Sequence, residues 1–405
     1  MASSRWFAPL KERNFRLFFI GQTASQIGSG MAPVAIVFAV LAHGTASDVG
    51  YVLTAQTVPL VVFLLVGGVV GDRMSRRTLM LRADALRTMT ECALGLWVLL
   101  GRPPLWGFMV LAALMGIGQA FFNPALTAIV PQMLSAEALQ QGNALNGISG
   151  SSGGIIGPAI AGVIVAVSSP GWAILIDGVT YLVSVVSLAL IRIDWKAMEH
   201  AEPFAVLLRQ GWREFWSRTW LWTIVVEFSL VNALFASFLV LGPVVAKQSL
   251  GGAAAWGTIL AAEGVGSVLG GIVMLRLHPR RPLLVATLSS LFFPVPLFLV
   301  ADRDPTLAIA LTSLLAGFFV TVFAVQWHTT MQREIPPDLL SRVSAYDWFG
   351  SLALMPIWMA VVGPVASGIG ISTTLDVSGV IMLALLASVL LVPSVRQLRA
   401  PERDS

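Results

Sequence analysis

Residues 138–176 read ALQQGNALNGISGSSGGIIGPAIAGVIVAVSSPGWAILI, a stretch without one charged side chain. A membrane-spanning helix needs about 20 apolar residues, so this stretch holds two, and Ser168-Ser169-Pro170-Gly171 supplies the turn between them. The apolar runs are continuous and do not alternate with polar residues, which points to helices and away from an outer-membrane barrel. Charge-free runs recur at 49–71, 103–136, 282–301, 348–375 and 377–395. Of the 405 residues 56% are hydrophobic and 11% charged, against about a quarter charged in soluble domains. A water-soluble fold is excluded.

Filling the gaps between these runs predicts twelve helices, at 14–41, 49–71, 78–100, 104–131, 138–167, 171–192, 219–246, 253–276, 282–300, 305–331, 342–368 and 371–394. Of the 25 Lys and Arg, all but Arg102, Lys247 and Arg303 fall on one side of the membrane when both termini are inside. The positive-inside rule therefore orients the chain with cytoplasmic termini. The first helix is too long for a signal-peptide core, so the N-terminal segment is expected to be retained. The single cysteine, Cys92, excludes an intramolecular disulfide and a Cys-based metal cluster.

The second half repeats the first at a nearly constant offset: Gln22 falls opposite Glu227, Gly67-Gly68 opposite Gly270-Gly271, and Gly157-Pro158 opposite Gly363-Pro364. The expected organisation is an all-α membrane protein of two parallel six-helix repeats. They comprise an N-terminal bundle over 1–192 and a C-terminal bundle over 219–405, joined by a cytoplasmic amphipathic linker over 193–218. Parallel repeats of this kind place a substrate site at mid-membrane.

After helix 2 stands Gly68-Val69-Val70-Gly71-Asp72-Arg73-Met74-Ser75-Arg76-Arg77. An acid among Arg73, Arg76 and Arg77 at a helix mouth can make a charge network that forms in one conformation and breaks in another. The segment resembles the G-x-x-x-D-R-x-G-R-R loop of the major facilitator superfamily, with Ser75 where that family usually has glycine. Gly153 to Gly162 of helix 5 similarly resembles the G-x-x-x-G-P-x-x-G-G signature of its proton-linked exporters. Small residues there permit close helix approach and Pro158 a kink. Gly68, Asp72, Arg73, Arg76, Arg77, Gly157, Pro158, Gly363 and Pro364 are accordingly expected to serve gating and conformational change.

The resemblance covers the whole chain and is strongest to twelve-helix bacterial drug, macrolide and siderophore exporters. It implies the major facilitator fold, with the first and fourth helices of each half lining the cavity. Gln22, Gln26, Asn123, Glu227, Asn232, Gln326 and His328 would then lie nearest the substrate. One departure is that helix 4 lacks the arginine those exporters often use in proton coupling.

Ionisable groups within spans are functional candidates by default. Glu227 lies roughly 12 Å from the inner surface at 1.5 Å per residue, has no basic partner within a turn, and is the first proton-coupling candidate. Glu263 is the second; Asp84 and Glu91 follow, with Asp84/Arg87 and Arg87/Glu91 spaced to pair on one face of helix 3. Asp177 and Asp347 are expected to be structural.

No G-x-x-x-x-G-K-[ST] loop, H-E-x-x-H or Ser-His-Asp arrangement is present, so neither catalysis nor a metal or other cofactor is expected. These features describe a non-enzymatic secondary transporter in a bacterial cytoplasmic membrane. It would export an amphipathic small molecule by alternating access, with protons as the coupling ion, as a monomer and without a nucleic-acid partner. A nutrient importer or uniporter, or a non-transporting receptor, would share the fold.

Overall fold

The structure is a computed structural model that describes residues 8–135, 138–193, 204–274, 276–277 and 279–399. The side chains of residues 64–73, including Asp72 and Arg73 of the expected latch, lie outside those described.

The first six long helices are α1 (Arg13–Leu41), α2 (Ala46–Arg73), α3 (Arg76–Leu100), α4 (Leu105–Ile129), α5 (Leu139–Val167) and α6 (Pro170–Leu190). A linker helix, Phe204–Ser217, follows. Then come α7 (Thr219–Val245), α8 (Ala253–Met274), α9 in two pieces (Pro282–Ser290 and Val295–Ala301), α10 (Thr306–Glu334), α11 in two pieces (Pro337–Leu352 and Met355–Ile369) and α12 (Ile371–Val389). No strand occurs among the described residues. Eleven of the twelve segments are apolar and long enough to cross a bilayer. The exception is α3, because it carries Arg76, Arg77, Arg82, Asp84, Arg87 and Glu91.

Local chemistry sets the helix ends. Thr45 and Asp48 cap α2 reciprocally: the Thr45 backbone N–H donates to Asp48 Oδ2 at 2.7 Å and the Asp48 N–H to Thr45 Oγ1 at 3.4 Å. Ser75 caps α3, its Oγ accepting from the Thr78 N–H at 3.1 Å. Gly251, at φ 102 in the left-handed region, closes the π-helical turn Ala246–Leu250 that extends α7. Helices 9 and 11, expected to be continuous, are each broken. Pro294 and Pro296 lack the amide N–H that would continue α9, and α11 turns at Ala353-Leu354 just before Pro356.

The chain forms two compact units, residues 1–201 with 252–261, and residues 202–251 with 262–405. In the first, α1 packs on α5 and α6, α2 on α4, and α3 on α4 and α6. In the second, α7 packs on α11 and α12, and α9 on α10 and α12, while Gly266 and Gly270 of α8 lie against the α10 backbone at Leu314 and Phe318. Each pairing of the first unit thus returns six helices later, the structural form of the duplication.

Within the first unit, glycines bring backbones together. A Cβ on Gly30 of α1 would lie 2.1 Å from the Gly153 carbonyl oxygen of α5, and one on Gly157 would lie 2.6 Å from Gly30. On the same helix, Gly162 meets Ala253, Ala254 and Gly257 of α8, and the Pro158 carbonyl lies against Gly257. Nothing larger than glycine fits these crossings.

Candidate functional site

The second unit holds a partly open cavity of about 190 Å³ between α7, α8, α9 and α10. Its wall is aromatic: Phe228, Phe235 and Phe238 from α7, Phe293 from the break in α9, and Phe323 from α10. Phe228 and Phe323 stack at 4.2 Å between centroids, and Phe293 meets Phe228 edge-on at 6.2 Å. Three polar side chains interrupt this surface: Asn232, Glu263 and Ser313. The Asn232 amide donates to the Ser351 carbonyl at 3.0 Å, meeting an acceptor next to the break in α11. Ser313 Oγ is buried without a hydrogen-bond partner, and no side-chain hydrogen bond satisfies Glu263 among the described residues.

Of the candidates taken from the sequence, Asn232 and Glu263 therefore line one cavity. Glu227 does not. It is buried on α7, 6% exposed, with Oε1 unpartnered. Gln326 is buried beside Met274, its amide 3.9 Å from Sδ, whereas Asn123 and His328 are exposed. Gln22 is buried in α1, and the Gln26 backbone lies against Gly153 of α5. Sequence reasoning misses the phenylalanines. The available signal is the spacing of Phe228, Val231, Asn232 and Phe235, one stripe of a helix; Phe293 and Phe323 arrive only through tertiary packing.

In the first unit, Arg87 joins four helices. It donates to Asp84 Oδ1 of its own α3 at 3.1 Å, to Ser29 Oγ of α1 at 3.4 Å and to the Tyr181 hydroxyl of α6. Its guanidinium also lies over the Phe122 ring of α4, 5.3 Å from the centroid. Asp84 Oδ2 accepts from Ser184 Oγ at 2.6 Å. The expected Arg87/Glu91 pairing does not form. Glu91 is fully buried and both of its carboxylate oxygens lack a hydrogen-bond partner. Asp177, expected to be structural, is fully buried on α6, whose Gly178 lies against Glu91 and Cys92 of α3.

The charged loop after α2 divides its work. Arg77 donates from Nε to the Leu188 carbonyl and from Nη2 to the Ala189 carbonyl, both at 2.7 Å, and so closes the C-terminal end of α6. Gly68 lies within α2. Gly363 is buried in α11, and the Pro364 carbonyl accepts from Ser367 there at 2.6 Å.

Twelve long helical segments, eleven of them apolar enough to cross a bilayer, with buried ionisable groups and an aromatic cavity, describe a polytopic membrane protein. The Major Facilitator Superfamily model matches residues 18–354, and the chain belongs to that family, whose members are transporters and not enzymes. Multidrug efflux pump Tap of Mycolicibacterium fortuitum is 27% identical over 399 residues, covering 94% of this chain and 96% of that protein. Enterobactin exporter EntS of Salmonella typhimurium is 26% identical over 387 residues, with 92% of each covered. Among solved structures, nucleoside transporter NupG superposes with a TM-score of 0.76 at 11% identity, over 93% of this chain and 99% of that one. A bacterial homologue of the human lysosomal transporter Spinster gives 0.71 at 13% identity, over 97% and 99%. At these identities the structures establish the fold.

Proposed function

We propose that this chain exports an amphipathic small molecule across a bacterial cytoplasmic membrane by alternating access, in exchange for protons. It acts as a monomer with both termini in the cytoplasm. The cavity carries the reading: five phenylalanines and only three polar side chains suit a flat apolar body bearing few hydrogen-bonding groups, where a sugar would need more. A carboxyl beside aromatic faces also favours a cation, which gains from both the ring quadrupoles and the charge. The efflux pump and siderophore exporter among its relatives support the direction. Glu263, on the cavity wall, and Glu227, buried on α7, are the carboxyls of this unit that exchange a proton during the cycle.

The test is ethidium accumulation in an efflux-deficient host with and without the protein, and with a protonophore. Lower accumulation that the protonophore restores supports proton-driven export. Equal accumulation in cells with and without the protein removes ethidium-type cations from its substrates, and a reduction indifferent to the protonophore removes the proton.

A further inference from the structure

The buried charges of the first unit do not balance. Asp84 and Arg87 form a pair whose remaining valences are met by Ser184, Ser29 and Tyr181. Glu91 of α3 and Asp177 of α6 meet where these helices cross, a Cβ on Gly178 next to Asp177 lying 3.2 Å from Glu91 Cβ, and each is 0% exposed. Among the described residues no donor reaches either oxygen of Glu91 or Oδ2 of Asp177. Asp177 Oδ1 has only a long contact, 3.3 Å, from Thr180 Oγ1. Two ionised carboxylates side by side in an apolar interior, with one already committed arginine nearby, are not a stable arrangement. One shared proton removes one of the two charges and gives the facing oxygens the donor they lack.

We propose that Glu91 and Asp177 form a proton-binding pair, in which one proton taken from water bonds to an oxygen of one carboxylate and is shared with the other residue. On release the proton returns to water, and no other bond is made or broken. The titratable groups facing the pair are Arg87, Asp84 and Cys92 of α3 and Tyr181 of α6. From α1 Gly28 lies against Asp177, while Ser29 of α1 and Gly118 and Phe122 of α4 lie against Arg87, none of them charged.

The geometry also couples the pair to α1. A Cβ on Gly28 would lie 2.5 Å from Asp177 Oδ1 and 2.0 Å from Thr180 Oγ1, so the α1 backbone seals the carboxyl from water. An ionised pair needs solvent, and solvent reaches it when α1 withdraws. Protonation thus favours the sealed position of α1 and deprotonation the open one. The inference rests on the proton-driven reading above, but its site lies in the other unit from the cavity.

The experiment is an infrared pH titration of the purified protein without substrate, following the carboxylic-acid carbonyl band. Difference spectra of wild type minus the Glu91→Gln/Asp177→Asn double variant are expected to show a carboxylic-acid band that disappears as pH rises, because Glu227 and Glu263 are present in both and cancel. A difference spectrum without that band overturns the assignment. Because these variants can fail to fold, wild-type protein is also treated with dicyclohexylcarbodiimide, which modifies protonated buried carboxyls, and its peptides are mapped by mass spectrometry. Labelling of Glu91 or Asp177 that falls as pH rises supports the pair, and absence of label on both overturns it. If the pair titrates while ethidium efflux ignores the protonophore, the export mechanism fails and the proton site stands.

Discussion

Glu263 holds in the second repeat the place that Gln56 holds in the first: a Cβ on Gly317 of α10 would lie 2.0 Å from the Glu263 carbonyl oxygen, as one on Gly116 of α4 would from that of Gln56. The backbone crossings match, and the side chains differ by a charge. Duplication has left one unit with an amide and the other with a carboxyl at the same joint, and the carboxyl lines the aromatic cavity.

From that equivalence we expect Glu263→Gln to convert the second unit toward the first without disturbing its packing. Ethidium binding to the purified protein should weaken by about tenfold, about 1.4 kcal/mol, through loss of the carboxylate. Glu227→Gln, off the cavity wall, should leave binding nearly unchanged. A fluorescence titration in which Glu227→Gln weakens binding more than Glu263→Gln reverses this ranking.

Much of this arrangement is legible in the amino-acid sequence. Span count and duplication are written in long charge-free runs, because a bilayer imposes one length and one polarity on every segment. Glu263 and Asn232 stand out for a related reason, as polar groups in apolar runs. What the sequence hides depends on rotation and depth. The fate of Arg87, offered Asp84 and Glu91 at similar helical spacing, is decided by Ser29, Tyr181 and Phe122 from three other helices. Asp177 reads as peripheral along the chain, yet α6 turns it toward α3. Glu227 ranks first by depth alone, and its rotation about α7 takes it off the cavity.

The loop after α2 yields a stability prediction. Ser75→Ala removes the α3 cap and should cost about 1 kcal/mol, Ser75→Gly only a few tenths. Arg77→Ala frees two carbonyls at the end of α6 and should cost about 1.5–3 kcal/mol, as bonds from a charged donor are lost. Thermal unfolding of the solubilised protein gives the order, wild type above Ser75→Gly, then Ser75→Ala, then Arg77→Ala. Arg77→Ala unfolding at the wild-type temperature would refute the capping role.

Asp72, in the last turn of α2, carries a different expectation. Its replacement by Asn should leave membrane insertion intact and impair transport, by shifting a conformational equilibrium by about 1 to 3 kcal/mol. A thiol probe introduced on the cytoplasmic side should change its accessibility in Asp72→Asn. Unchanged transport and labelling would take the latch out of the mechanism.

For α5, Gly157 and Gly154 make an internal control. Gly157 lies against the α1 backbone, while a Cβ on Gly154 meets nothing within 4 Å. Gly157→Ala is expected to cost about 1–3 kcal/mol through overpacking and to lower ethidium efflux, whereas Gly154→Ala should behave as wild type. Equal effects of the two would mean that helix propensity, not the α1 crossing, governs this stretch.

The glycine crossings that join α1, α5 and the start of α8 also bear on how this protein can vary. Every single-nucleotide change that replaces a glycine adds a β-carbon, so Gly30, Gly153 and Gly157 have no harmless neighbours one step away in the genetic code. A phenylalanine codon, by contrast, reaches leucine, isoleucine, valine and tyrosine in one step, each of which still offers apolar bulk to a cavity wall. Variation that keeps an apolar wall is therefore open at Phe228, Phe235, Phe238, Phe293 and Phe323. The close glycine crossings are closed to it. The cavity of the second unit can change by drift while these crossings of the first stay fixed.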